Sequence, residues 1–198
     1  IESFSSANGI DFIVISSPDD RVHEHIIKSY DPKHVLSMRR PLDLSYIGVD
    51  LKKTIFYLNS KANIISNYDG FMFHSIESPF IKKHFIESAI NVYKIFNPNT
   101  VISVTEDNRQ FFNHTGKGLE PINYKEGIIR YEKEKCFVGS PGFLLRDCKD
   151  FVRTKSMLGS RIGHVTIDKL SSFVIEDDLD MKIANYLSKI HINSKREN

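Results

Sequence analysis

Only two cysteines occur in the chain, Cys136 and Cys148, too few for a disulfide framework in 198 residues. Free thiols are expected instead. No apolar run approaches the ~20 residues that a membrane-spanning helix requires, and no stretch has the pattern of a secretory signal. The expectation is a cytoplasmic protein with no membrane partner. Charge of one sign is missing too: 27 Lys and Arg stand against 25 Asp and Glu, a formal net charge of +2, and the basic residues are dispersed. Such a balance argues against a nucleic-acid surface. Repeats, low-complexity segments and linkers are absent.

What remains is an ordinary globular composition, 40% apolar and 26% charged. A chain of this length suits one domain with a sizeable core. It starts with IESFSSANG, which reads as the tail of a helix and its glycine stop. The single domain over 1–198 is therefore expected to be incomplete at its N-terminus.

Phe12-Ile13-Val14-Ile15 is a continuous β-branched run, the mark of a strand buried on both faces. The polar loop Ser16-Ser17-Pro18-Asp19-Asp20 ends it, and Val22, Ile26 and Ile27 recur at helical spacing. Open α/β sheets bind ligands at such loops, at the carboxyl ends of strands. His23 and His25, two apart, point to different sides of a helix and are read as solvated. A weaker strand, His34–Leu36, leads to Arg39-Arg40-Pro41, an extended segment because the residue before proline avoids helix. The two arginines could clamp phosphate or carboxylate, or lie solvated in a loop. A helix over Val49–Leu58, a strand at Gly70–His74 and a helix with the apolar stripe Ile86, Ala89, Ile90, Tyr93 and Phe96 follow. Asn97-Pro98-Asn99 stops that helix before the strand Thr100–Thr105. This β-α-β-α-β-α-β order predicts a parallel sheet with helices on both faces.

The rhythm breaks over Glu106–Glu134, which holds aromatics, glycines and lysines without a clean period. Thr115-Gly116-Lys117-Gly118 lacks the first glycine of a phosphate loop and no helical pattern follows, so a turn in a protruding hairpin is expected. Apolar residues on such an excursion need burial, which a second subunit can supply. Phe143-Leu144-Leu145 returns as a strand, and a helical turn with Phe151 and Val152 leads into the closing stretch. There, two strands are expected at Ile162–Ile167 and Phe173–Ile175, around a turn at Asp168-Lys169. The acidic cluster Glu176, Asp177, Asp178 and Asp180 then precedes an amphipathic helix through Met181, Ile183, Ala184 and Leu187. Those carboxylates either cap the helix or hold a hard divalent cation.

FIVISSPDD, RRPLDL, IESPFIKKHFIESAINVY, TVISVTED and SMLGSRIGHVTIDKLSSFVIEDDLDMKIANYL, in that order, resemble the cytidylyltransferase family of CMP-sugar synthetases, the acylneuraminate type above all. The resemblance runs over most of the chain and implies a Rossmann-like nucleotidyltransferase fold: three layers, α/β/α, around a mostly parallel sheet. It implies transfer of a cytidylyl group from CTP to an acidic sugar with release of pyrophosphate, Mg²⁺ dependence, and a homodimer made through the excursion at 106–134. On the matched positions, Ser16, Ser17 and Arg40 would contact the nucleotide, Ser78 and Arg130 the sugar, and Glu176 and Asp180 the metal.

Three departures accompany the resemblance. The family opens with a strand and a glycine-rich basic loop for which this chain has no counterpart before Ile1. The aspartate of the family's Ser-Thr-Asp loop falls on Pro18, and its metal-binding Asp-Ile-Asp pair falls on Val174 and Glu176. A ketodeoxyoctonate-type enzyme, a transferase using UTP or GTP, and a binding or dimerisation module without catalysis are the other readings.

Overall fold

The computed structural model describes residues 1–46, 48–122 and 136–194, with backbone alone for 191–194. Local pattern sets the first half. After a short helical turn, α1 (Glu2–Ser5), come β1 (Ile13–Ser17), α2 (Asp20–Ser29), β2 (Val35–Arg39), α3 (Leu51–Ala62), β3 (Gly70–Phe73), α4 (Lys83–Phe96) and β4 (Thr100–Asp107). Aspartates start two of these helices: the side chains of Asp19 and Asp50 accept hydrogen bonds from the N–H groups of Arg21 and Lys52. Asn63 and Asn97 end α3 and α4 in the left-handed region, at φ 50° and 49°, which asparagine tolerates better than most side chains.

The second half departs from alternation. A hairpin of β5 (Phe112–His114) and β6 (Leu119–Pro121) is followed by β7 (Cys136–Asp147), α5 (Cys148–Thr154), β8 (Ile162–Thr166) and α6 (Asp178–Ser194). All six strand residues of the hairpin are exposed, and Thr115–Gly118 forms its turn, closed by Thr115 N–H donating to Gly118 O.

Strands pair in two larger pieces. β1 and β2 are parallel, and a four-stranded piece has the order β3-β7-β4-β8. β4 and β8 are parallel, whereas β7 runs antiparallel to both β3 and β4. Within these two pieces the parallel expectation thus holds for the β1–β2 and β4–β8 pairings and fails at β7. Its register explains why: Asp107 opposes Cys136 and Thr100 opposes Arg146, as in two arms of one long hairpin whose loop is the excursion. The register slips between Ile102 and Val104. There the Ser103 hydroxyl donates to Ser140 O (2.7 Å) and accepts from Phe143 N–H (2.9 Å), satisfying backbone groups that the bulge frees.

Alternation along β3 separates two apolar layers. Met72 packs with α1, α4, β4 and β8 residues such as Phe4, Ile86, Val101 and Val165. Phe71, on the opposite face, packs with Ile55 of α3 and Phe151 of α5, its ring edge-on to Phe151 with centroids 5.1 Å apart. Ile86 and Phe151 are fully buried, each contributing about 1.5–3 kcal/mol by leaving water. Helices therefore cover both faces of the sheet.

The second strand expected in the closing stretch, Phe173–Ile175, does not form. Residues 168–173 are taken up by a turn in which the Asp168 carboxylate accepts from Ser171 N–H and Phe173 N–H donates to Leu170 O. Ile175 then makes one bond, from its N–H to Glu77 O at 2.9 Å. β-branched residues alone do not make a strand where no neighbouring edge runs alongside. Among the described residues no helix is long and apolar enough to cross a membrane.

Candidate functional site

Strand order places the site. From β1 the chain moves outward to β2, then turns back through α3 to β3 in the other piece. No ladder joins β1 to β3 among the described strands; both border one cavity of about 330 Å³ instead. Where strand order reverses in an open α/β sheet, helices diverge and leave a crevice at the carboxyl ends of the strands.

Ser16 near the end of β1, Arg40 just after β2 and His74 just after β3 are among the polar residues that line that crevice, each from a different element. Ser16 Oγ is shielded from solvent and has no hydrogen-bond partner among the described residues. An orphaned hydroxyl beside a cavity marks a place where a polar ligand atom is accommodated. Among the described residues the Arg40 guanidinium is held at one point, Nε donating to Ser45 Oγ at 3.0 Å. Its terminal nitrogens make no bond to a described residue, which leaves their N–H groups for an anionic ligand. Arg39 is spent elsewhere: it is exposed and paired with Asp20 of α2.

Ser17 does not line the cavity. Its hydroxyl accepts from Asp19 N–H (3.1 Å), and its carbonyl accepts from Arg40 N–H and from His23 Nε2 (both 2.9 Å). Ser17 therefore shapes the loop that presents Ser16. His23, expected to be solvated, is half-buried with both ring nitrogens engaged, Nδ1 lying 2.6 Å from Ser37 Oγ. Since a carbonyl can only accept, Nε2 carries the proton, and in the neutral ring Nδ1 accepts from the serine. This brace between β1 and β2 depends on strand pairing, which the spacing of His23 and His25 could not reveal. His25 is exposed as expected.

His74 is the residue that the sequence pattern passed over. Its Nδ1 donates to Gly142 O at 2.5 Å, and its ring lies on Phe4 with centroids 5.0 Å apart. Burial pushes its pKa below the ordinary value of 6.5, so the ring is neutral near pH 7 and Nε2 is a proton acceptor. A polar residue immediately past a strand's carboxyl end was the available signal.

Ser78, Glu176 and Asp180 do not line the cavity. Ser78 is fully buried, its Oγ also without a partner, in the loop after β3. That loop is tied to the closing stretch by the Ile175–Glu77 bond and by Ser171 Oγ donating to Phe80 O (3.0 Å). Arg130 lies outside the described residues.

Glu176 and Asp180 sit at the start of α6 in a cap: Asp180 Oδ2 accepts from Glu176 N–H (3.0 Å), and Asp177 Oδ1 from Asp180 N–H (2.9 Å). Between the two readings of this cluster, the backbone geometry is that of the cap. Among the described residues no group of three or more His, Cys, Asp or Glu converges to hold a metal. The donor set suits a hard cation that arrives with ligand phosphates and keeps its waters, and does not suit a cage of protein oxygens.

No family model matches the sequence, and no curated protein sequence matches it either. Solved structures do. A 4-diphosphocytidyl-2C-methyl-D-erythritol synthase from Anaerococcus prevotii superposes with a TM-score of 0.69 at 12% identity, over 95% of this chain and 86% of that one. A CMP:2-keto-3-deoxy-manno-octonic acid synthetase complexed with CTP gives 0.65 at 10% identity, over 96% and 86%. A 2-C-methyl-D-erythritol 4-phosphate cytidylyltransferase from Thermus thermophilus gives 0.55 at 12%, over 95% and 85%. Likeness at this level of identity establishes architecture, and the chain has the Rossmann-like nucleotidyltransferase fold of these proteins.

Proposed function

We propose that the chain is a cytidylyltransferase domain that takes CTP into the crevice between β1 and β3 and transfers its cytidylyl group to an acidic sugar. The observation that carries this reading is the convergence of Arg40 and the orphaned Ser16 hydroxyl on one cavity, in a fold shared with cytidylyltransferases. Arg40, through its terminal N–H groups, pairs with phosphate oxygens or the cytosine carbonyl, and Ser16 hydrogen-bonds the nucleotide. Ser17 and His23 hold the loop in place. Neutral His74 offers Nε2 as an acceptor at the same crevice. Ser78, buried with an unpartnered hydroxyl after β3, and Arg130 are assigned to the acceptor sugar, Arg130 by bidentate pairing with its carboxylate.

Mg²⁺ belongs to this proposal, with Glu176 and Asp180 as its protein ligands. Bound with the nucleotide, the ion neutralises charge on the departing pyrophosphate and orients the acceptor oxygen. Since the cap already engages Asp180 Oδ2, Glu176 is the freer of the two carboxylates. A homodimer through 106–134 is the proposed assembly; Phe112, Leu119 and Ile122 in its described part are 48%, 66% and 68% exposed.

The likeness to the 2-keto-3-deoxy-manno-octonic acid synthetase favours a second acceptor, a ketodeoxyoctonate in place of an acylneuraminate. The test is calorimetric titration of CTP, UTP and GTP with and without Mg²⁺, followed by pyrophosphate release with each sugar acid. Metal-dependent binding of CTP over UTP and GTP, with turnover on one acid, is the expected result. Metal-independent binding, or none by the full-length natural polypeptide, identifies a non-catalytic module.

A further inference from the structure

α6 is seated on the protein by one narrow face. Ala184 is buried, and Leu187 and Ser188 near it are half-buried, while most of the remaining described surface of the helix is exposed. Such a surface is ordinarily polar. On α6 it is not: Leu179, Ile183, Tyr186 and Ile190 are 63%, 38%, 66% and 49% exposed. They follow one another at intervals of four, three and four residues, so on an α-helix they fall within an arc of about 60°. That arc lies about a third of a turn round from Ala184. α6 therefore carries two apolar faces, one spent on its own domain and one open to solvent.

The open stripe has the spacing of a coiled-coil seam, in which apolar residues alternate at intervals of three and four. Its order is also a palindrome, since the intervals read the same from either end. A second α6 laid antiparallel across it sets Leu179 against Ile190 and Ile183 against Tyr186, each pair occurring twice about one two-fold axis. A parallel pairing also closes the seam, but it stacks Glu176, Asp177, Asp178 and Asp180 of one copy beside the same four carboxylates of the other. Antiparallel helices keep the acidic turns apart and oppose the two helix dipoles. Of the cations that flank the stripe, Lys182 and Lys189, the second then comes level with the Asp178–Asp180 turn of the other copy.

We infer that the Leu179–Ile190 face of α6 is a self-association surface, which pairs with α6 of a second copy of this chain in an antiparallel two-helix seam. Tyr186 suits it, because the ring covers apolar neighbours while the hydroxyl stays in water at the border. Four side chains per copy bury less than the ~800 Å² per partner of a standard interface, so the pairing is weak and concentration-dependent. It is distinct from the contact proposed at 106–134: this seam alone joins two chains, and the two contacts together carry assembly beyond two. It does not depend on what the crevice binds.

Sedimentation velocity and disulfide trapping on the full-length natural polypeptide test the seam without nucleotide. Ile183→Lys should weaken association at least tenfold, whereas Ile95→Lys, at an exposed apolar position on α4, should leave it unchanged. Mixing the Leu179→Cys and Ile190→Cys variants under oxidising conditions should join unlike chains through the two new thiols, which the antiparallel seam alone opposes. If Ile183→Lys fails to fold, the trapping still decides, because both cysteine positions are exposed. A monomer across the concentration range overturns the inference. So does association undiminished by Ile183→Lys, a mixture without the mixed disulfide, or a disulfide formed as readily between two Leu179→Cys chains at that position.

Discussion

Arg40 N–H donates to Ser17 O at 2.9 Å, and this bond sets the ends of β1 and β2 level. One residue of each neighbouring pair is thereby committed to structure, Ser17 and Arg39, and the other is turned to the cavity, Ser16 and Arg40.

The two arginines should consequently separate in binding. Arg40→Ala is expected to weaken CTP on the order of 10- to 100-fold, the loss of one or two hydrogen bonds to a charged group. Arg39→Ala breaks only an exposed pair with Asp20, worth about 0–1 kcal/mol of stability, and should leave affinity unchanged. Equal losses in the two variants, measured by calorimetry, would remove Arg40 from the site.

His74 predicts an acid-side weakness. Its folded pKa is depressed by burial below 6.5 while the unfolded ring keeps its ordinary value. Below 6.5 the unfolded chain binds more protons, so this contribution to stability is complete above that pH and is lost as pH falls. His74→Gln should flatten the fall in denaturant midpoint between pH ~7 and ~5. An unchanged pH profile would show that the ring is solvated in solution.

Arg146, at the centre of the sheet, is fully buried. It donates to Ser156 O (2.9 Å), Asn99 O (2.7 Å) and Thr154 Oγ1 (3.0 Å), and pairs with Asp150, whose carboxyl it holds below the usual range. Arg146→Met is expected to cost about 3–5 kcal/mol, because it removes one partner of a buried pair and the donor to Ser156 O, although Arg153 still pairs with Asp150 and Asp147 N–H still bonds Asn99 O. Urea unfolding within ~1 kcal/mol of the parent would contradict this role.

On the alkaline side, Cys148 and Tyr93 act together. Burial pushes the Cys148 thiol from 9.0 up to about 12. Burial and the bond to Asp147 Oδ2 (2.6 Å) also raise the Tyr93 hydroxyl. Between about 9 and 12 the unfolded thiol loses its proton first, so stability falls as pH rises. Cys148→Ala should reduce that slope, and in the native chain the Cys148 thiol should resist alkylation at mildly alkaline pH. Rapid labelling of Cys148 under native conditions would count against its burial.

Local pattern was enough for the succession of elements. The β-branched run at Phe12–Ile15, the stripe through Ile86, Ile90 and Tyr93, and the stop at Asn97 each act within a few residues, so sequence spacing reports them. The resemblance carried the reading further, to the nucleotidyltransferase architecture and to Ser16 and Arg40, which the fold does bring to one crevice.

Pairing is another matter, because a strand's partner is chosen by residues far away in sequence. Nothing near Phe143 announces that β7 runs antiparallel between β3 and β4, and nothing near Phe173 announces that no edge awaits it. His23 and His74 acquire their roles from Ser37 and Gly142, partners contributed by other elements. Sequence by itself determined most of the helices and strands, Phe173–Ile175 excepted, because backbone preference and amphipathic period are local. Tertiary structure alone decided the strand order, the gap between β1 and β3 and the side chains that meet at its mouth, because hydrogen bonding and burial are settled between segments.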